Sequence, residues 1–203
     1  MGLFSWLRAK PDQQVASPDV VWLTRSAQVM GIATRLQELV AHAGTKSAVL
    51  LVPHFLDNLP SLEAIAAAGE WRDFTATALA EDLARLDSLS SLNETHRVEI
   101  LVVERHPLRS RDEAIVDFAR NLPCRSRATF HMSLDDALLR EFSGEWTANV
   151  LRKLGMKESE PIESKMVARR LAAAQHQIES RVGRELPASS TQEWLELNAP
   201  PRS

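Results

Sequence analysis

The chain has 203 residues, of which 44% are hydrophobic and 25% charged, with a formal net charge of -3. These values fit an ordinary soluble globular protein with one core, or one core and an appendage, and they argue against a sequence-independent nucleic-acid surface. The single cysteine, Cys124, excludes an internal disulfide and a multi-cysteine metal cage, as suits a reducing cytoplasm, and no apolar run approaches the roughly 20 residues that span a bilayer.

Residues 1–17 read as an arm, polar and proline-bounded from Pro11 to Pro18 and without the apolar core of a signal peptide. Leu3, Phe4, Trp6 and Leu7 cluster apolar area beside Arg8 and Lys10. That pattern suits weak contact with an anionic membrane surface through Phe4, Trp6 and Leu7. The expected location is cytoplasmic, with this peripheral contact at the inner membrane.

A strand follows over residues 20–24, then a helix capped by Ser26 and stopped by Gly44, with Val29, Ile32, Leu36 and Leu39 at helical spacing. Residues 48–52 form a continuous apolar run, the mark of a strand covered on both faces. Pro60 opens a short helix that ends near Gly69, and residues 74–77 form a third strand. Leu79, Leu83, Leu86 and Leu89 predict a helical stripe. Residues 98–103 are the next strand, Asp112 caps a helix carrying Ile115, Phe118 and Leu122, and residues 128–132 are the last strand. Alternating strands and helices with short connections predict a mostly parallel α/β sheet.

Past the sheet, a long helix begins at Asp135 with Leu138, Phe142, Trp146, Val150 and Leu154 on one stripe, stopped by Gly155. Pro161 starts another, with Val167, Leu171, Ala174, Ile178 and Val182 on a narrow seam. The proline- and serine-rich residues from 183 onward read as a mobile tail around an apolar plug at Trp194 and Leu195. The expected division is an arm over 1–17, an α/β domain over 18–155, a helix over 156–186 and a flexible tail over 187–203.

Much chemistry is excluded. The seven glycines are widely spaced, with Gly144 and Gly155 the nearest pair, so no glycine-rich phosphate cradle exists. Residues 43–47, Ala-Gly-Thr-Lys-Ser, mimic the tail of a Walker A loop but lie between a helix and the following strand, the reverse of the required order. No histidine pair has metal-ligand spacing, so no metal is expected. Cys124 reads as an incidental loop cysteine, and Asp135 and Asp136 as helix-start cap and dipole partners. Arg109, Arg120, Arg125 and Arg127 are the remaining anion contacts, with Arg109 and Arg120 as weak cofactor candidates; no cofactor is expected.

Several segments, in order, carry a family resemblance. They are Glu104-Arg105-His106, then residues 130–139 (Phe-His-Met-Ser-Leu-Asp-Asp-Ala-Leu-Leu), then residues 151–157 (Leu-Arg-Lys-Leu-Gly-Met-Lys) and Glu160-Pro161-Ile162-Glu163. This series resembles the end of the second motor domain of SecA, the ATPase that drives preprotein export in bacteria, with the start of its helical scaffold. The resemblance is specific over about residues 98–182 and weaker over 18–97. It implies a RecA-like sheet covered by helices. It also marks a departure. The arginines that contact phosphate across the motor cleft align with Val116, Phe118 and Asn121, and the family's glycines there align with Asp117, Arg120 and Pro123. An arginine finger works by setting a fixed cation at developing phosphate charge, and these side chains lack one.

The reading is therefore a stand-alone, non-catalytic SecA-like module that docks on a protein: the export motor, the translocation channel or a dedicated partner. Trp146, Arg169, Arg170, Trp194 and Leu195 are its expected contact residues, with Gln175 and Gln177 also turned outward. The alternative is the nucleotide-binding half of a split ATPase completed by a separate first motor domain. An unrelated α/β enzyme using Thr24, His54, Glu104 or His106 at strand ends is a third reading.

Overall fold

A computed structural model describes residues 15–42, 46–69, 71–86, 89, 91–140, 153, 157, 160–162 and 165–200. Its elements are β1 (Val20–Trp22), α1 (Arg25–Ala41), β2 (Ser47–Pro53), α2 (Leu59–Ala67), β3 (Thr75–Thr77), β4 (Arg97–Val103), α3 (Arg109–Asn121), β5 (Arg125–Ser133), α4 (Lys165–Glu179) and α5 (Thr191–Asn198). The five strands form one sheet in the order β1-β5-β4-β2-β3, every neighbouring pair parallel. This is the expected α/β, RecA-like architecture.

Topology dictates which helix covers which face. The chain moves one way across the sheet from β1 to β2 and β3, then back to β4 and β5, so right-handed crossovers put α1 and α2 on one face and α3 on the other. Side chains obey this. Val49, Leu51, Leu101 and Val103 pack with Ile32 and Leu36 of α1 and Leu62 and Ile65 of α2. The alternate residues Leu50, Val52, Ile100 and Val102 pack with Ile115 and Ala119 of α3. A third cluster joins Val21, Met132 and Leu138 to Val167, Leu171 and Ile178 of α4 and Trp194 of α5. The seam of α4 thus lies against the sheet end, as its spacing predicts.

Several local expectations change. Thr24, not Ser26, caps α1, its hydroxyl accepting from the Ala27 N–H at 3.1 Å. Gly44 lies outside the described residues. The leucine stripe after β3 is not an α-helix but a 3-10 turn over Ala80–Arg85 followed by further three-residue turns, with Leu86 bonded back to Leu83, Leu89 to Leu86 and Leu92 to Leu89. Leu83, Leu86, Leu89 and Leu92 recur every three residues, the period of 3-10 structure, so all four meet the core under α3. The last strand is longer than expected, Arg125–Ser133. Of the helix expected from Asp135, residues 137–140 are helical, and Phe142, Trp146, Val150 and Leu154 lie outside the described residues. The next helix starts at Lys165, not Pro161, because Ile162 pairs with Val21 in an antiparallel bridge.

The expected mobile tail is likewise corrected. Residues 191–198 form α5, with the Ser190 hydroxyl accepting from the Glu193 N–H at 3.1 Å and the Glu193 carboxylate accepting from the Ser189 N–H at 2.7 Å. These two bonds start the helix in the manner of a capping box, with Ser189 in place of the cap residue as the second donor, and burial of Trp194 holds it down.

Gly31 of α1 faces the indole of Trp22, and a β-carbon there would overlap the six-membered ring. Gly31→Ala should therefore destabilise the fold by about 1–3 kcal/mol, the usual cost of overpacking. Urea unfolding should show a lower midpoint, whereas the same change at Gly183, which faces open space, leaves the midpoint within error.

Candidate functional site: a buried aspartate network and the cleft between α3 and α4

At the end of β4 the chain turns sharply. Glu104 has a φ of 58°, a left-handed conformation unusual outside glycine, and its N–H donates to the His131 carbonyl at 2.8 Å. This turn sends Arg105 inward and His106 toward the end of β2. The Arg105 guanidinium lies 3.7 Å over the Phe130 ring, donates to Asp112 Oδ2 at 3.3 Å and pairs with Asp19 in the segment ahead of β1.

Asp112 is the centre. It was expected to cap α3, but it lies inside the first turn, 1% exposed, and collects donors from four directions. His54 Nε2 stands 2.9 Å from Oδ1, which also accepts from the His106 N–H at 3.0 Å. Oδ2 accepts from Arg105 and from Gln175 Nε2 at 2.7 Å. Burial alone would raise the Asp112 pKa, but the His54 hydrogen bond and charge, with Arg105 and the His106 N–H, pull it below its usual 3.8. Gln175, expected to face outward from α4, is buried here and also donates to the His106 carbonyl at 2.8 Å. The amide satisfies two buried acceptors at once, which outweighs solvation of a surface glutamine.

His106 closes the crevice between β2 and β4. Its ring stacks on Phe55 at 5.1 Å and meets Trp194 edge-on at 5.3 Å. Nδ1 accepts from the Leu108 N–H at 3.0 Å. Burial, then the neighbouring His54, push its pKa down to about 3, so the ring is neutral at pH 7. The indole N–H of Trp194 donates to Glu185 at 2.9 Å, and Arg111 pairs with the same carboxylate. Trp194 is 1% exposed and belongs to the core, not to a free contact surface. Leu195 is half-buried against the same cluster. Under this cover, Glu104 accepts from Asn58 Nδ2, and its pKa is driven well up by burial and by Asp136. Burial lifts Asp136 to about 6 despite Arg25 at 3.1 Å.

Between α3 and α4 runs a cleft of about 580 Å³, lined by Arg105, Arg109, Val116, Arg120, Leu171 and Gln175 among others. The structure therefore brings the two cofactor candidates, Arg109 and Arg120, to one place. Arg109 pairs with Glu113 at 2.7 Å and Arg120 with Asp117, both pairs within α3. Val116 lies on the cleft wall, Phe118 packs half-buried toward the core and Asn121 is exposed. Arg169 and Arg170 are exposed on α4, as expected, and neither makes an ion pair among the described residues. Trp146, Phe4, Trp6 and Leu7 lie outside the described residues. Among the described residues, no group of three or more His, Cys, Asp or Glu side chains is placed to hold a metal ion, and no helix is long and apolar enough to cross a membrane.

Comparison with known proteins bears on this arrangement. No family model matches the chain. The SecA protein of Koribacter versatilis is 40% identical over 82 residues, covering 40% of this chain and 8% of its own length. SecA of Psychrobacter cryohalolentis is 30% identical over 72% of this chain, and SecA of Nitratidesulfovibrio vulgaris 29% identical over 84% of it. The chain spans 16% and 23% of those two relatives, so it matches a part of each. Among solved structures, tagatose-6-phosphate ketose/aldose isomerase from Escherichia coli overlaps 58% of this chain and 34% of its own, at 13% identity and a TM-score of 0.35. The chain carries a SecA-related region.

The buried carboxylates set opposite pH responses. Asp112 is held below its usual 3.8, so its contribution to stability is present above that value and is lost as pH falls. Glu104 is held above its usual 4.5, so its contribution is present below 4.5 and is lost as pH rises through the shifted value. Asp112→Ala should cost about 3–5 kcal/mol in urea unfolding at neutral pH, because it removes the buried acceptor shared by His54, the His106 N–H, Arg105 and Gln175, while Arg105 keeps only Asp19. Glu104→Gln keeps the acceptor for Asn58 and should flatten the loss of stability between pH 4.5 and neutrality.

Proposed function

We propose that this protein is a non-catalytic, SecA-related interaction module of protein translocation that docks on a protein partner through α4 and the adjoining cleft. The observation that carries the reading is the chemistry of that cleft. The positions aligned with phosphate-contacting arginines are Val116, Phe118 and Asn121, and Arg105, Arg109 and Arg120 are each engaged by carboxylates of this chain. A phosphate approaching there would have to break existing ion pairs and face Glu113 and Asp117. Ligand crevices in open α/β sheets lie at the carboxyl ends of strands where the chain reverses direction, here between β2 and β4. That position is filled by His106 and Trp194, which disfavours catalysis at Thr24, His54 or Glu104.

The charge left unpaired among the described residues on the exposed side of α4 is basic, Arg169 and Arg170, while Ala168 and Ala172 of the same helix line the cleft and let another backbone approach. Candidate partners are the export motor, the translocation channel or a dedicated protein. Purified protein should show no calorimetric ATP binding and no hydrolysis, and should bind saturably to a purified export motor or to inner-membrane vesicles carrying the channel. Arg169→Glu with Arg170→Glu should weaken that binding at least about tenfold without moving the unfolding midpoint. Micromolar ATP binding that is lost in Arg109→Ala would sink the reading.

A further inference from the structure

On the face away from α4, the described helices stop short of the sheet edge. The core beneath α1 and α2 draws on β2 and β4. On the outer side of α1, β1 and β5 turn Val20, Trp22, Thr129 and His131 toward a groove of about 740 Å³. Ala27, Met30 and Gly31 of α1 form one wall, and Pro18 and Pro161 stand opposite. Met30 is 66% exposed at the rim. The groove follows α1 from Ser26 to Glu38, about 18 Å at 1.5 Å per residue.

Three features define what it would take. His131 is 3% exposed, and its Nδ1 accepts from the Trp22 indole N–H at 3.3 Å, which leaves the ring proton on Nε2. Burial, with Arg35 nearby, lowers its pKa to about 4, so this tautomer is neutral at pH 7, and Nε2 has no partner. A buried donor without an acceptor costs about 1–3 kcal/mol, and an incoming oxygen would satisfy it. The foot of the groove is basic. Arg127 lines it, Arg97 and Arg125 project from the same sheet face beyond the lining, and none of the three makes an ion pair among the described residues, although Arg127 and Arg97 lie near the half-buried Glu99; Arg35 is engaged by Glu38 at 3.0 Å. The middle is apolar, made by Trp22, Met30 and the two prolines. Strand addition at β1 is blocked, since Val21 already exchanges both backbone hydrogen bonds with Ile162, at 2.9 and 2.8 Å.

We propose that this groove docks a helical segment of a partner protein, which lays an apolar stripe on Trp22 and Met30 and brings a carboxylate to Arg127. A helix fits because the groove is long and its floor is a sheet face that no helix covers among the described residues. The proposal stands apart from the translocation reading: the groove is on the opposite face from α4, and neither Arg169 nor Arg170 lines it.

The test uses the full chain and a fluorescein-labelled, end-capped helical peptide of about four turns, leucine on one face and glutamate elsewhere. Its counterpart carries lysine in place of glutamate. Anisotropy should show saturable binding of the glutamate peptide, at least about tenfold weaker for the lysine peptide and for Met30→Asp and Arg127→Glu. Both substitutions are at exposed side chains and should leave the unfolding midpoint unchanged, and Arg169→Glu should bind like the native chain. Absence of saturable binding, equal affinity for the two peptides, equal affinity in both groove variants, or binding of decanoate in place of the peptide would each overturn the proposal.

Discussion

The carboxyl end of this sheet is organised by one buried negative charge. A carboxylate taken out of water is costly unless every lone pair finds a donor. Asp112 meets that demand from β2 through His54, from the turn after β4 through Arg105 and the His106 N–H, and from α4 through Gln175. Arg105 passes the constraint on to Asp19, ahead of β1. Four parts of the chain that are distant in sequence are thereby held in one geometry. The left-handed turn at Glu104 is part of the same arrangement, because it aims Arg105 inward and the His106 ring at Phe55. The local strain of that backbone is balanced by the ion pairs and ring contacts it makes possible.

The same constraint decides what the surface offers. An arginine held between two carboxylates and stacked on Phe130 is no longer a mobile cation for an incoming phosphate. Trp194, anchored by Glu185 and packed on His106, fills the crevice where an α/β sheet ordinarily receives a ligand. A sheet whose ligand position is occupied by its own chain has helix faces and grooves left to work with. That is the physical content of reading the molecule as an interaction module.

Much of the fold was legible in the sequence because burial leaves a simple pattern in strands. The apolar runs of β2 and β4 announced strands covered on both sides, and short connections announced parallel order. The misreadings came where polar residues are buried or where period and composition mislead. Leu79, Leu83, Leu86 and Leu89 suggest an α-helical stripe, although from Leu83 onward the leucines, Leu92 included, are three apart, which is the 3-10 period. Asp112 reads as a cap from its place near a helix start, and Gln175 as outward-facing from its chemistry, yet each is the partner that makes the other's burial tolerable. Proline and serine suggested a loose tail, while the Ser190 and Glu193 box signalled a helix start within it. At the site, the Glu104-Arg105-His106 motif was visible, but the partners that give it a structural role are distant in sequence and emerge only from folding.

The strand with two different faces carries a further lesson. β2 and β4 are apolar on consecutive residues, whereas β5 alternates: Ala128, Phe130 and Met132 are buried, and Arg125, Arg127, Thr129 and His131 share the other face. Alternation of this kind belongs to a strand with one face covered and one approached by water or by another molecule, and it is unusual in a parallel sheet, where both faces are normally shielded by crossover helices. The topology supplies the reason. The crossover from β1 to β2 carries α1 past β5 and β4, and α2 follows outward to β3, so among the described residues no helix beyond α1 covers the β1 edge on that face. The polar face of β5 thus lies where the described helical cover ends.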